Sequence, residues 1–248
     1  MTHWLCLSPH FDDIALSLGG WAWQQVENGN TVEIWTICAG DAPPDGFSAF
    51  AESLHTRWKT GAEAVARRRE EDRRSCGILR AHLRHFHLPD CIYRAHPENQ
   101  YEFLYASETA IFGEIHPAET PRLRELAATL QAALPASAEI VCPMALGGHV
   151  DHRLTRAAAE LLARPLWYYA DYPYVLREAA ALQHMSAAWV RHTFPLSEAA
   201  LIAWNDAVAA HASQVGTFWR NAEIMRSALR EYAQTPPESS LWRAPKNI

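Results

Sequence analysis

Two short clusters of histidine and aspartate carry the chemistry this sequence can do. The first is His10, Asp12 and Asp13, inside WLCLSPHFDDIALSLGG at residues 4–20; the second is His149, Asp151 and His152, inside GGHVDHR. Two histidines and one carboxylate around an open position form a catalytic zinc arrangement, and His10, Asp13 and His152 fit it. Iron(II) tolerates the same donors and is the alternative metal. Zinc there lowers the pKa of its bound water to roughly 7 and polarises a substrate carbonyl. Asp12 is next to Asp13 in a loop, so the two side chains point differently and Asp12 is left to face the water as general base. His149, three residues before His152, can approach the same centre without binding the metal. As an imidazolium it would stabilise a developing oxyanion and then protonate a leaving amine. Asp151, between the two histidines, is expected to orient His149 and keep it charged.

The elements around the clusters give them a common address. Residues 4–7 are a short apolar run that reads as a buried strand, broken at Ser8-Pro9, and a helical pattern runs from Ile14 to about Asn28 with Gly29 as its stop. The second cluster likewise follows an apolar strand, residues 139–143, and precedes an amphipathic helix over 151–163. Ligands of open α/β sheets lie beyond the C-terminal ends of the strands, so two strand ends delivering His and Asp point to one site assembled from both. Gly19-Gly20 inside the first helix costs stability and predicts close approach to a neighbouring element or a ligand.

Further strands are expected at 31–37, 83–88, 165–170 and 189–194. Residues 38–55, with Pro43-Pro44 and Asp45-Gly46, read as loop, and residues 56–79 as one charged helix whose run Arg67 to Arg74 is a solvated face with i,i+4 pairs. A helix is expected over 121–134, and one or two long helices from Ser197 to about Tyr232. Residues 91–121 resist regular assignment, and a loop that long reads as a substrate wall. The tail from Gln234 is proline-rich, with Leu241-Trp242-Arg243 able to dock. Strands alternating with helices, with no repeat and no composition break, predict a single α/β domain over 1–248: a Rossmann-like, mostly parallel sheet flanked by helices, with the zinc site at the C-terminal edge of the strands.

A net charge of -6 disfavours nucleic acid and anionic membranes as partners, and the mixed signs of the Arg67–Arg74 run argue the same. Five scattered cysteines fit reduced thiols in the cytoplasm better than a disulfide framework. No signal peptide and no membrane span are expected.

At the two clusters the sequence resembles the zinc-dependent N-acetylglucosaminyl de-N-acetylases, the PIG-L or LmbE-like family. The family's His-Pro-Asp-Asp-Glu followed by Gly-Gly stands here as His10-Phe11-Asp12-Asp13-Ile14 with Gly19-Gly20, and its His-Pro-Asp-His as His149-Val150-Asp151-His152. The resemblance implies zinc on His10, Asp13 and His152, Asp12 as base, and His149 as oxyanion and acid partner. It also implies sugar-hydroxyl contacts by Arg68, paired on its helix with Glu71, and by Asp90 of Leu88-Pro89-Asp90. Tyr168-Tyr169, Asp171 and Pro173-Tyr174 resemble a tyrosine-rich segment of the family, and Ser213-Gln214 a late serine-glutamine. Phe11 and Val150 replace the motif prolines, which changes loop stiffness, and Ile14 replaces the motif glutamate, which removes that carboxylate.

The expected reaction is metal-assisted removal of an N-acyl group, N-acetyl above all, from an N-acetylglucosamine-type sugar conjugate, a small-molecule partner. Residues 91–121 and 168–174 would wall the sugar pocket, with Phe11 and Tyr169 contributing to binding. A metal-dependent phosphoesterase is the first alternative, although a second metal finds few carboxylates and there is no Gly-rich phosphate loop. A non-catalytic sugar-binding protein with a vestigial metal site is the second, and Asp12 and His149 speak against it.

Overall fold

A computed structural model describes residues 1–44, 46–58, 61, 63–234 and 239–245 of the chain. In order, the elements are β1 (His3–Ser8), α1 (Asp13–Glu27), β2 (Thr31–Thr36), α2 (Ala49–Arg57), α3 (Ala64–Leu79), β3 (His82–His85), β4 (Ala95–His96) and β5 (Asn99–Phe103). There follow α4 (Glu108–Ile111), α5 (Thr120–Ala133), β6 (Glu139–Pro143), α6 (Val150–Glu160), β7 (Leu166–Tyr169), α7 (Ala179–Met185), β8 (Val190–Thr193), α8 (Glu198–Ala210), α9 (Ala212–Phe218), α10 (Ala222–Tyr232) and β9 (Ser240–Arg243).

Among the described residues one seven-stranded sheet runs in the order β3-β2-β1-β6-β7-β9-β8, and β4 and β5 form a separate hairpin. Pairing is parallel from β3 to β7, while β9 runs antiparallel to both of its neighbours. The two neighbours of β1 are both parallel to it but come from different parts of the chain: β2 follows it at once, whereas β6 arrives later and pairs on its other edge, Trp4 against Glu139 and Cys6 against Val141. That is a topological switch point, where helices diverge and a crevice opens beyond the strand ends. Because β1 and β6 are parallel neighbours, the clusters at residues 10–13 and 149–152 emerge side by side at the same sheet edge. The α/β, mostly parallel fold expected from the strand-helix alternation is the one observed.

The helices differ from expectation in four places. The loop expected over 38–55 yields at Ser48, whose hydroxyl accepts the Ala51 N–H and caps α2. The long helix expected over 56–79 is two helices, α2 and α3, and its residues 59, 60 and 62 lie outside the described residues, as does residue 45 of the expected turn. From Ser197 to Tyr232 there are three helices, broken at His211 and before Asn221, whose side chain caps α10. Helix α7 was not expected, and none of its residues is buried, so it carries no apolar periodicity to read. The docking tail is β9, inserted between β7 and β8; residues 235–238 and 246–248 of the tail lie outside the described residues.

Gly19 and Gly20 answer to a neighbouring helix. A Cβ on Gly19 would stand 2.5 Å from Cδ1 of Trp204 on α8, and one on Gly20 would stand 2.8 Å from Leu196. Trp204 is 1% exposed and donates its indole N–H to the Ala15 carbonyl at 2.7 Å, so it has nowhere to retreat. Gly19→Ala is expected to cost about 1–3 kcal/mol by overpacking, read as a lower melting temperature. An unchanged melting curve would mean that α8 gives way more easily than this packing implies.

Candidate active site

The turn after β1 is shaped by Ser8, whose hydroxyl donates to the His10 carbonyl at 2.6 Å and accepts the Ile14 N–H at 3.3 Å. It brings Asp13 into the first turn of α1, where a helix N-terminus favours a carboxylate. Asp13 Oδ2 also accepts the His10 N–H at 2.7 Å. After β6, Gly147 and Gly148 take φ of +81° and +76°, and a Cβ on Gly147 would meet the Tyr174 ring at 2.6 Å. The chain thus turns sharply under Tyr174 and starts α6 at His149, whose Nδ1 accepts the Asp151 N–H at 3.2 Å.

Three donors converge where the two turns meet. Asp13 Oδ2 lies 3.3 Å from His10 Nδ1 and 3.4 Å from His152 Nε2. Those separations are two edges of a tetrahedron whose centre lies roughly 2.0–2.1 Å from each corner, the length of zinc–nitrogen and zinc–oxygen bonds. The far nitrogens are both spoken for: His10 Nε2–H donates to Asp151 Oδ2 at 3.0 Å, and His152 Nδ1–H donates to Asp171 Oδ1 at 2.7 Å. Each imidazole therefore turns its other nitrogen toward Asp13, with a carboxylate behind it, which is how metal-binding histidines are held. The ring nitrogens of His10, His149 and His152 also lie within 4.8 Å of one another, as do donors from His10, Cys38 and Asp151 and from Cys91, His149 and Asp151. Burial, then acidic neighbours, pushes the Cys38 and Cys91 thiols well up, so both stay protonated and are poor ligands beside His10, Asp13 and His152.

The electrostatics fit a cation. Burial alone would lower His10, but hydrogen bonds to Asp13 and Asp151 and the charge of Asp90 outweigh it and hold the ring well above its ordinary value. His152 is raised in the same way, with Asp13 and then Asp171 overcoming burial. Asp13 is buried too, yet His152 and His10 hold it below the usual carboxylate range. The cluster is thus built to surround positive charge, the field a divalent ion would satisfy.

Asp12 is 5% exposed and stays out of the donor set; its Oδ1 pairs with Arg68 Nη2 at 3.3 Å. Arg68 Nη1 stands 3.7 Å from Asp90 Oδ2, which also lies 3.8 Å from His10 Nε2. Phe11 and Trp58 flank the guanidinium with ring centroids 5.4 and 5.3 Å from its carbon. All eight residues singled out in the sequence thus come together. The charged run of α3 is only partly a solvated face: Arg67–Glu71 and Arg74–Glu70 do pair along the helix, but Arg68, Glu71 and Asp72 are buried. Glu71 takes the Ser213 N–H at 3.0 Å and its hydroxyl at 2.6 Å, tying α3 to α9 and setting Gln214 at the cleft.

Two expectations about this cluster meet opposing features of the structure. Asp151 does not orient His149 through its carboxylate, which is committed to His10, to the Cys91 N–H at 3.0 Å and to Arg94. The surroundings of His149 also work against the expected imidazolium. Burial, then the charge of His10, holds it well below its ordinary value, and with Nδ1 accepting from Asp151 the remaining proton sits on Nε2.

The site opens into a cleft of about 500 Å³ with His10, Asp12, Asp13 and His149 at its floor. Arg57, Arg68, Asp90 and Glu108 supply polar surface, and Ile92, Ile111 and Phe112 come from the 91–121 segment expected as a wall. Tyr172, Pro173 and Tyr174 also line it, the Tyr174 ring meeting Phe112 edge-on at a centroid distance of 6.0 Å. Phe11 and Tyr169 do not line it: Phe11 is buried beside Arg68, and Tyr169 donates its hydroxyl to the Leu7 carbonyl inside the sheet. Tyr168 likewise packs in the core.

Sequence reasoning placed Asp171 and Arg94 only within the expected pocket walls and gave neither a role at the metal site. Asp171 had a usable signal, since it follows the strand at 166–169 as His10 and His149 follow theirs. Burial raises its carboxyl, and His152 and the Leu146 N–H at 3.0 Å pull it partly back. Asp171→Ala is expected to weaken metal affinity by roughly 10–100-fold, measured by chelator competition. Equal affinity would show that His152 is aimed by packing alone.

Residues 5–163 match the family described as PIG-L: GlcNAc-PI de-N-acetylase. Two proteins named 2'-N-acetylparomamine deacetylase, from Niallia circulans and Streptomyces fradiae, are each 28% identical to the chain over 184 and 177 residues. Each match covers 68% of this chain, but 66% and 57% of the relatives' own lengths. Among solved structures, the zinc-inhibited form of teicoplanin deacetylase Orf2 superposes with a TM-score of 0.82 at 25% identity, over 99% of this chain and 100% of that one.

Proposed function

The chain belongs to the PIG-L, GlcNAc-PI de-N-acetylase family, and from that premise we propose that it is a metal-dependent hydrolase removing the N-acetyl group from a small amino-sugar conjugate. The observation that carries this reading is the convergence of His10 Nδ1, Asp13 Oδ2 and His152 Nε2 beside a carboxylate, Asp12, that the metal does not need. The relatives named for deacetylating 2'-N-acetylparomamine and teicoplanin support the substrate class.

In this reading His10, Asp13 and His152 hold zinc, which when bound supplies a Lewis acid for the amide carbonyl and an acidified water. Asp12 takes the proton of the attacking water, and Arg68 keeps its carboxylate turned into the cleft. His149 presents Nε2–H as a hydrogen bond to the oxygen that gains charge, and the proton that Asp12 takes from the water passes on to the departing nitrogen. Its ring is fixed for this by the Asp151 amide and by edge contacts with Phe112 and His10, at centroid distances of 5.4 and 4.9 Å. Asp90 and Arg68 meet sugar hydroxyls, and the rings of Tyr172, Tyr174 and Trp219 offer apolar faces to the pyranose.

Acetate and free amine, measured together on N-acetylglucosamine conjugates, are expected to appear one for one. Turnover of p-nitrophenyl phosphate with no acetate release would favour the phosphoesterase instead. Among the described residues no helix is long and apolar enough to cross a membrane. Five unpaired, buried cysteines suit the cytoplasm as the working compartment.

A further inference from the structure

The 91–121 segment also reaches behind the floor of the cleft. It delivers Arg94, whose side chain is 1% exposed, between two fully buried carboxylates. Nη2 stands 2.8 Å from Glu119 Oε2, and Nη1 stands 2.5 Å from Asp151 Oδ1. The other oxygen of Asp151 holds His10 Nε2–H at 3.0 Å. On the outer side Glu119 accepts the Tyr105 hydroxyl at 3.0 Å and pairs with Arg122 near the surface. A ladder Arg122–Glu119–Arg94–Asp151–His10 therefore runs from the surface to the inner face of the donor set.

We propose that Arg94 is a positioning residue for the metal centre: its guanidinium anchors the carboxylate that aims His10. The proposal rests on the metal reading of the site. Stability is a weak explanation for the ladder, because desolvating buried ion pairs consumes most of their attraction and a hydrophobic filling often serves a fold as well. Direction is a better one. Asp151 has two oxygens and two claims on its orientation, from Arg94 on Oδ1 and from His10 with the Cys91 amide on Oδ2. Without the guanidinium, Oδ1 loses its ion-pair partner among the described residues, and the carboxylate and the imidazole it holds are freer to turn. The Arg94 contacts are ion pairs rather than aligned hydrogen bonds, since Nε and Nη2 of Arg94 and Oδ1 of Asp151 lack a bond of good geometry. The Tyr105 ring, 5.4 Å from the guanidinium carbon, and the Pro89 carbonyl, 3.3 Å from Nη1, steady the side chain instead. A lysine could reach one carboxylate but lacks the fork that spans both.

The test is zinc affinity by chelator competition, with cobalt substituted to report ligand geometry by absorption. Arg94→Gln is expected to weaken zinc roughly tenfold, the low end of the effect of a ligand's hydrogen-bond partner because Arg94 acts one step further out. Arg94→Lys keeps the charge and should recover part of that loss while shifting the cobalt spectrum. Combining Arg94→Gln with Asp151→Asn should weaken zinc no more than Asp151→Asn alone, because both changes act on one contact. Should the glutamine variant fail to fold, the lysine variant decides: unchanged affinity and an unchanged spectrum overturn the proposal. Additive losses in the double variant overturn it as well. Wild-type protein that takes up no zinc removes the metal reading and this inference with it, whereas equal zinc affinity of wild type and Arg94→Gln removes this inference alone.

Discussion

Replacing Asp12 with asparagine is expected to leave metal content unchanged and to slow acetate release by roughly 10²–10⁴-fold, the contribution of a positioned general base. The substitution keeps the shape of the side chain and an oxygen for Arg68, so Asp13, His10 and His152 have no reason to move. What disappears is the carboxylate that takes the water's proton. Metal analysis beside kcat separates the outcomes. A variant that loses both metal and activity makes Asp12 a ligand, and one that keeps its rate moves the base elsewhere.

The second large effect is on stability. Metal bound only to the native state stabilises it by about 4 kcal/mol at a thousandfold excess over Kd. For a chain of this size that corresponds to a rise in melting temperature of about 8–16 °C. Zinc should produce this rise in the wild type and none in His152→Ala, which lacks one donor. The pH dependence has a definite sign. In the metal-free protein the acidic neighbours hold His10 and His152 above the ordinary imidazole value, so zinc must displace protons to bind. Affinity should therefore rise as pH rises through the raised histidine values and fall away below them. A thermal shift that persists in His152→Ala would place the ion elsewhere.

Much of this site was legible because its donors sit at the ends of apolar strands. His10 and His149 each follow a short buried run, and two such runs that become parallel neighbours, β1 and β6, must deliver their loops to one edge. What stayed hidden depends on packing between distant segments. Arg68 lies in a run of alternating charges that reads as solvated surface, and only the docking of α3 against the β1–α1 turn reveals its pairing with Asp12. Arg94 lies in a stretch without periodicity, and nothing near it in sequence marks it as buried. The partner of Asp151 was misassigned for a related reason. Proximity in sequence suggested that Asp151 serves His149, but residues two apart on a helical turn face different ways, and the carboxylate reaches across to β1. The tail became a strand because Leu241 and Trp242 alternate between the two faces of the sheet, one packing in each layer of the core.

The most direct test of the account is acetate release from an N-acetylglucosamine conjugate, followed as zinc is added back to metal-free protein. The account predicts activity that rises in proportion to zinc up to about one equivalent per chain, and none before the first addition. Full acetate release from protein verified to be metal-free, or no release at one equivalent on any N-acetylated amino-sugar conjugate, would contradict it.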